Sequence, residues 1–486
     1  MSAFHGSNGI AFGPDGRLHV AEFLGGRISA VDLATGEIEI VVPAGGPVQS
    51  PDDLAFGADG SMYITDLVPG RVWRRDSRGD YTLVSDGITM ANGITCVGNR
   101  LFVNEMRPGG RLLELFPDGG EPVVLAEGLA MGNAMQLGPD GCLYYPHMMT
   151  NEVYRIPPDG GIPELVAEEV HQPVAVRFDR TGVLHVLSRG VEGIVTRIEA
   201  GGRKLLTTGV IGLDNAAFDD ENRMYVSSFA SGGINEMRPD GQVREVVPQG
   251  LVGPYGITVD LGGTVYAGDH YRVAEATDEV TTHEVAIFTH GIVADNGLLH
   301  VTSQYGDVRT HDPDAGTWTV RAKGLDRPTG IAVREDGVLV VAESGAGRVI
   351  AIDDDVTVLA DGFDEPVDVA FDAQNRCYVS AKHGVYRLDG QPIAENLDAP
   401  QGLAVRGDEL FVVETGLRRL LAINLETGAQ RIEAEDLAVE PPEETARALF
   451  VGQMPGCPRR FAGLDVGPDG SLHLSANGNG GVLHLP

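Results

Sequence analysis

The feature that most constrains this chain is self-similarity. The stretch Asn8-Gly-Ile-Ala-Phe-Gly-Pro-Asp-Gly-Arg-Leu-His-Val-Ala-Glu22 returns almost position for position as Asp52-Asp-Leu-Ala-Phe-Gly-Ala-Asp-Gly-Ser-Met-Tyr-Ile-Thr-Asp66. Further copies begin at Asn92, Asn133, Val174, Asp214, Tyr255, His290, Thr329, Val367, Gln401 and Ala462. There are about twelve copies, spaced by about 40 residues, the length of one four-stranded blade. Within a copy, a short apolar strand runs into a turn such as Pro14-Asp15-Gly16 or Pro139-Asp140-Gly141 and then into an alternating strand. Asp-Gly supplies the positive-φ positions that a tight hairpin turn needs.

A blade can bury its faces only against other blades, so the copies must close into rings. The expected fold is all-β, two tandem six-bladed β-propellers, with residues 1–251 forming the first ring and 252–486 the second. The last copy reaches Pro486 without a clear fourth strand. One segment, 434–461, departs from the repeat. It contains Glu440-Pro-Pro-Glu-Glu-Thr-Ala-Arg-Ala-Leu-Phe450, which reads as a helix start, and its place between blades predicts that it covers the channel mouth of the second ring.

Acidic residues outnumber basic ones by 70 to 36, for a net charge of -34. Such a surface repels phosphate backbones and anionic lipid, so neither nucleic acid nor a membrane is an expected partner; a small-molecule substrate is. The start, Met1-Ser-Ala-Phe-His-Gly, has no basic and apolar leader, and no apolar run is long enough to span a bilayer, so the expected location is cytoplasmic. Cys96, Cys142, Cys377 and Cys457 are scattered and read as reduced residues.

The residue leading the first strand of each copy faces the central channel. In the first six copies it is Asn8, Asp52, Asn92, Asn133, Val174 and Asp214; in the last six it is Tyr255, His290, Thr329, Val367, Gln401 and Ala462. Only the first half supplies a ring of Asp and Asn oxygens, the donor set of a hard divalent cation, Ca²⁺ or Mg²⁺. Turn chemistry is the competing explanation for the same residues. The residue closing the second strand reads Glu22, Asp66, Glu105, His147, Ser188 and Ser228. The acids precede Arg27, Arg71 and Arg111 by five or six residues, and Glu343 precedes Arg348, which points to structural acid–arginine pairs. His147 breaks that pattern and is the candidate general base, with Asp214 as the candidate catalytic carboxylate. His171, His270, His290 and His383 also fall near loop ends, whereas His19, His185, His300 and His473 lie in strand patterns. No Gly-x-Ser-x-Gly elbow, His-Glu-x-x-His, Walker loop or dinucleotide fingerprint occurs.

The blades resemble those of the gluconolactonase and regucalcin family, virginiamycin B lyase and NHL-repeat propellers. Asn92-Gly-Ile-Thr followed by Arg100-Leu-Phe-Val-Asn-Glu resembles the block that carries a metal-binding asparagine in gluconolactonases. Asp52-Asp-Leu-Ala resembles the preceding blade of that family, and Asp214 is similar to its metal aspartate. That family's aspartate comes one blade after the asparagine, where this chain has Asn133. Pro254-Tyr-Gly-Ile-Thr-Val and Pro328-Thr-Gly-Ile-Ala-Val look closer to the lyase and NHL repeats. The shared blade position predicts a cation held by Asp52, Asn92, Asn133 and Asp214, and the resemblance adds support at Asp52, Asn92 and Asp214. The resemblance leaves three functions open: a metal-dependent hydrolase of a lactone or related ester, a metal-dependent lyase, and a non-catalytic binding or docking scaffold.

Overall fold

The computed structural model describes residues 4–276, 280–303, 306–442, 450–451, 454–455 and 459–486. The described residues form strands and turns and no helix, and so contain no helix long and apolar enough to cross a membrane. The chain falls into two compact units, one within Ser2–Val252 together with the short strands Phe450–Val451 and Met454–Pro455, and one within Gly253–Ala446 and Pro458–Pro486.

The first unit holds six four-stranded antiparallel sheets in sequence order, each running from an innermost to an outermost strand. The innermost strands are Ile10–Phe12, Pro51–Phe56, Ala91–Val97, Gln136–Leu137, Pro173–Phe178 and Leu213–Phe218. Hydrogen bonds join one blade to the next: Gly9 N to Asp52 O at 2.7 Å, Asn104 Nδ2 to Asn133 O at 2.6 Å and Val176 N to Ala134 O at 3.1 Å. The sixth blade meets the first, where Ser227 Oγ donates to Asn8 O at 2.6 Å. Apolar packing follows the same path: Ile10, Leu18 and Val20 of the first blade bury against Tyr225, Ile234 and Val247 of the sixth. The core therefore lies between blades, which is why no blade is a stable unit alone.

The second unit is all-β as well, but its sheets are unequal: the last copy lacks a fourth strand, as its sequence indicated, while the merging of two copies into one sheet was not expected. One sheet has six strands, three have four and the last has three. The six-stranded sheet arises because Thr281–Asp295 is a single long strand. Its first part pairs with Val265–Glu275 and its second part with Leu298–Ser303, so two repeats share it. Inter-blade bonds still run around the unit: Gly256 N to His290 O, Gly330 N to Val367 O, Gly402 N to Ala462 O, and Gly463 N to Tyr255 O, the last joining the final copy to the first.

The acids that end the second strands are structural clamps. Glu22, Glu105, Glu343 and Glu414 each pair with an arginine of the third strand, and each also accepts a backbone N–H from the segment leading into its own blade. Asp66 differs from the expected pattern. Its carboxylate takes the N–H groups of Gln49 and Ser50 and the Trp73 indole rather than Arg71. Of the described cysteines, Cys377 is buried and Cys96 and Cys142 are half-buried, all as free thiols. The expected helix within 434–461 falls on residues 443–449, which lie outside the described residues.

Candidate functional site

A β-bulge at the start of the inner strand decides what lines the first channel. In the second, fifth and sixth blades the pairing register shifts at the leading residue, between Pro51 and Leu54, Pro173 and Ala175, and Leu213 and Ala216. A bulge lets two successive side chains turn to the same side. Asp52 and Asp53 are accordingly both buried, as are Asp214 and Asn215.

The outer polar layer contains the leading residues singled out from the sequence. Asn92 Nδ2 donates to Asp52 Oδ1 at 2.7 Å and lies 3.2 Å from the Met106 sulfur. Asn133 Nδ2 sits 3.4 and 3.3 Å from the sulfurs of Met106 and Met148, while its Oδ1 accepts the Ala134 N–H. Asp214 completes the group through its field: burial raises its pKa well above the carboxylate range, and the charges of Asp52 and Asp53 raise it further. Burial, with Asp53 adding to it, pushes Asp52 up to about 8, although the Asn92 amide opposes the shift. Two buried acceptors in this layer, Asn8 Oδ1 and Asn92 Oδ1, have no hydrogen-bond partner. Orphaned buried oxygens are rare and costly, and beside two carboxylates they form an acceptor-rich cradle.

Beneath that layer lies a network that the sequence did not point to. Asp53 accepts the Leu54 N–H, the Ile94 N–H and Asn215 Nδ2, and faces the Arg177 guanidinium at 3.9 Å. Arg177 spends its donors on the carbonyls of Ala216, Met135 and Val176. Five of the six blades meet in this network. Gly9 belongs to the same arrangement, since a Cβ there would lie 2.4 Å from Asp53 Oδ1. Two signals were present: the doubled Asp52-Asp53, and an arginine in Val176-Arg177-Phe178 where the other copies of the first unit carry alanine, threonine or glutamine.

His147 stands elsewhere. Its ring packs on Tyr154 at 4.5 Å and Tyr145 at 5.6 Å, and burial lowers its pKa, so it is held neutral. Its Nε2 is buried without a partner. No hydrogen bond or ion pair joins it to Asp52, Asn92 or Asp214 among the described residues.

The corresponding layer of the second unit is closed by its own chain. His290 Nε2 bonds the Arg459 carbonyl at 3.1 Å, Gln401 Nε2 donates to Arg460 O at 3.2 Å, and Gln401 Oε1 accepts the Ala462 N–H at 2.7 Å. Burial holds His290 at about 4 and His270 well below its ordinary range, so both rings are neutral. Residues 459–462 thus cross the layer where the insertion returns to the repeat; of the rest of 434–461, residues 443–449, 452–453 and 456–458 lie outside the described residues.

Among the described residues, no three Asp, Glu, His or Cys side chains come together as a metal cluster. A cation at the outer layer of the first unit would therefore lean on amide oxygens as well as Asp52 and Asp214, a donor set that suits Ca²⁺.

No protein family description matches the sequence, and no curated protein matches it. Solved structures are similar to it. A streptogramin B lyase is 18% identical, aligning over 57% of this chain and 94% of its own, with a TM-score of 0.42. A gluconolactonase from Xanthomonas campestris is 16% identical over 46% of this chain and 83% of its own, with a TM-score of 0.40. A calcium-binding protein, regucalcin, from Agrobacterium tumefaciens is 19% identical over 47% and 83%, with a TM-score of 0.40.

Proposed function

We propose that the first ring is a metal-dependent hydrolase that opens a lactone or related ester. The observation that carries this reading is the pair of unpartnered buried oxygens, Asn8 Oδ1 and Asn92 Oδ1, next to carboxylates that burial holds protonated. A positive charge relieves both costs at once: it satisfies the orphaned oxygens and lets Asp52 and Asp214 ionise. Asp52, Asn92, Asn133 and Asp214, with Asn8 added by the structure, would hold a divalent cation, Ca²⁺ or Mg²⁺. When bound, such an ion supplies Lewis acidity toward an ester carbonyl.

The remaining roles belong to the chain. Asn92 orients Asp52 through its amide, and Met106 and Met148 keep water from the amide edges of Asn92 and Asn133. Asp214 is the carboxylate that accepts and returns a proton. Arg177 partly offsets the charge of Asp53, whose remaining field still raises Asp52 and Asp214.

The test is Asp214→Ala, with Ca²⁺ and Mg²⁺ content, thermal melting and turnover of a lactone and ester panel measured beside wild type. The expected result is loss of bound cation and at least an about 100-fold fall in kcat/KM with an unchanged melting profile. Retained cation with normal turnover would sink the reading. The product mass separates hydrolysis, which adds water, from elimination, which does not.

A further inference from the structure

The first channel has a second end, where the inner strands finish, and it is built differently from the acidic layer. It opens as a cup of about 680 Å³, within the range of small-molecule sites. Four of its six blades place a phenylalanine there at the same repeat position: Phe12, Phe56, Phe178 and Phe218. Each is braced by an aromatic ring from the preceding blade. Phe12 packs on Tyr225 at 5.9 Å, Phe56 on His19 at 5.0 Å, Phe178 on Tyr144 at 4.9 Å and Phe218 on His185 at 5.2 Å. Rings locked in this way form a rigid apolar rim, which lowers the ordering cost of binding a flat molecule.

The floor is polar but electrically compensated. Gln136 Oε1 accepts the Phe178 N–H at 2.7 Å, which fixes the amide orientation and leaves Nε2 as the donor presented to the cup. The Thr95 hydroxyl lines the same floor and makes none of the described hydrogen bonds. Arg177 also lies there, but its donors are committed to three carbonyls and its charge to Asp53. At the rim, Arg180 pairs with Asp220, and Asp179 accepts the N–H groups of Thr181 and Val183. Cys96 is neutral, its thiol pushed up to about 12 by burial. Donors without spare charge favour an uncharged acceptor. The matching cup of the second unit, about 410 Å³, has Asp368 and Asp465 in its floor and mostly aliphatic lining, so the aromatic rim belongs to the first ring.

We propose that this cup is a second binding site, separated from the acidic layer by the Asp53–Arg177–Asn215 network, for an uncharged aromatic small molecule carrying a carbonyl acceptor. The aromatic face stacks within the phenylalanine rim, and the carbonyl receives Gln136 Nε2 and the Thr95 hydroxyl.

The probe is 6-propionyl-2-dimethylaminonaphthalene, a neutral aromatic ketone whose emission moves to the blue in apolar surroundings. Wild-type protein should bind it saturably at one site. Ala55→Trp and Ala217→Trp, which fill the cup from two different blades, should each weaken binding at least about tenfold, because the ring space is lost. Thr95→Val keeps the volume and removes one donor, so it should weaken binding about fivefold. It also keeps the test valid if a tryptophan variant fails to fold. Cation content should stay unchanged in all three variants. Absence of saturable binding, or wild-type affinity in Thr95→Val and in whichever tryptophan variant folds, would overturn the proposal.

Discussion

The two units solve the same packing problem and leave opposite residues at the channel. Each carries a buried aspartate one position past the leading residue of an inner strand, Asp53 in the first and Asp368 in the second. Each accepts the N–H of its own next residue and one from the following blade, Leu54 and Ile94 in one case, Val369 and Leu403 in the other. Each also depends on a glycine in a neighbouring blade: a Cβ on Gly9 would lie 2.4 Å from Asp53 Oδ1, and one on Gly330 would lie 2.0 Å from Asp368 Oδ1. Beyond that shared device they diverge. Asp53 is offset by Arg177 and Asn215, whereas Asp368 is opposed by another acid, Asp465. Above Asp53 the outer layer retains orphaned oxygens; in the second unit the equivalent layer is closed by the backbone of 459–462. The comparison teaches that ring closure requires the aspartate–glycine device and does not require the acidic outer layer. That layer is therefore free to serve chemistry.

The largest expected effect comes from breaking the charge balance of the first ring. Arg177→Met leaves Asp53 buried without its cation, and three carbonyls lose their donor. Breaking a buried pair from one side costs about 3–5 kcal/mol, read as a fall in the free energy of unfolding by denaturant. Adding Asp53→Asn should recover part of that loss, since it removes the stranded charge. A single variant as stable as wild type would mean that the Arg177–Asp53 interaction is incidental to the ring.

Much of this was legible in the residues, for a physical reason. The Asp-Gly turns and alternating strands of each copy are local, so blade spacing could be read directly, and the leading Asn and Asp residues followed from it. The six-stranded sheet could not be read, because whether Thr281–Asp295 breaks between two repeats depends on partners on both sides. Asp53 was overlooked because strict alternation places it opposite to Asp52; the bulge that turns both inward is a pairing irregularity, visible only once strands are registered. Arg177 was overlooked because its partners, apart from the neighbouring Val176 carbonyl, come from other blades. Asp66 illustrates the same limit: its spacing to Arg71 matched the Glu22–Arg27 pattern, yet Trp73 and two backbone amides take its oxygens.

A smaller effect should follow from opening the closure of the second unit. Gln401 holds 459–462 with both ends of its amide. Gln401→Leu preserves most of the volume but leaves the Arg460 carbonyl and the Ala462 N–H without that partner, at about 1 kcal/mol for each bond. The expected outcome is a loss of about 2 kcal/mol with faster amide hydrogen exchange at Ala462. The equivalent position of the first ring gives a different expectation: Asn8→Leu, which removes an oxygen that already lacks a partner, should be tolerated more easily. Equal losses at the two positions would erase the distinction between an amide with both ends bonded and an oxygen without a partner.

The effect that is smallest over any one pH unit, and the one that isolates the uncompensated acid, is a change in pH dependence. Burial, with Asp465 adding to it, raises Asp368 from 3.8 to about 7. Below pH 3.8 the group is protonated in both the folded and the unfolded chain and contributes no slope. Between about pH 4 and 7 the folded chain keeps the proton that the unfolded chain has released, so stability falls as pH rises, by at most about 1.4 kcal/mol per unit. Above that window both states are ionised and the full cost of the buried charge remains. Asp368→Asn removes this contribution at every pH, and losing one of two acceptors for Val369 and Leu403 should shift the whole curve downward. The level is therefore uninformative and the slope is the readout. Denaturant unfolding of wild type and variant at intervals across the window should give curves that converge as pH rises, with the wild type losing more. Parallel curves would show that Asp368 is ionised throughout, so that the backbone amides alone stabilise its charge and the second unit needs no counterpart to Arg177.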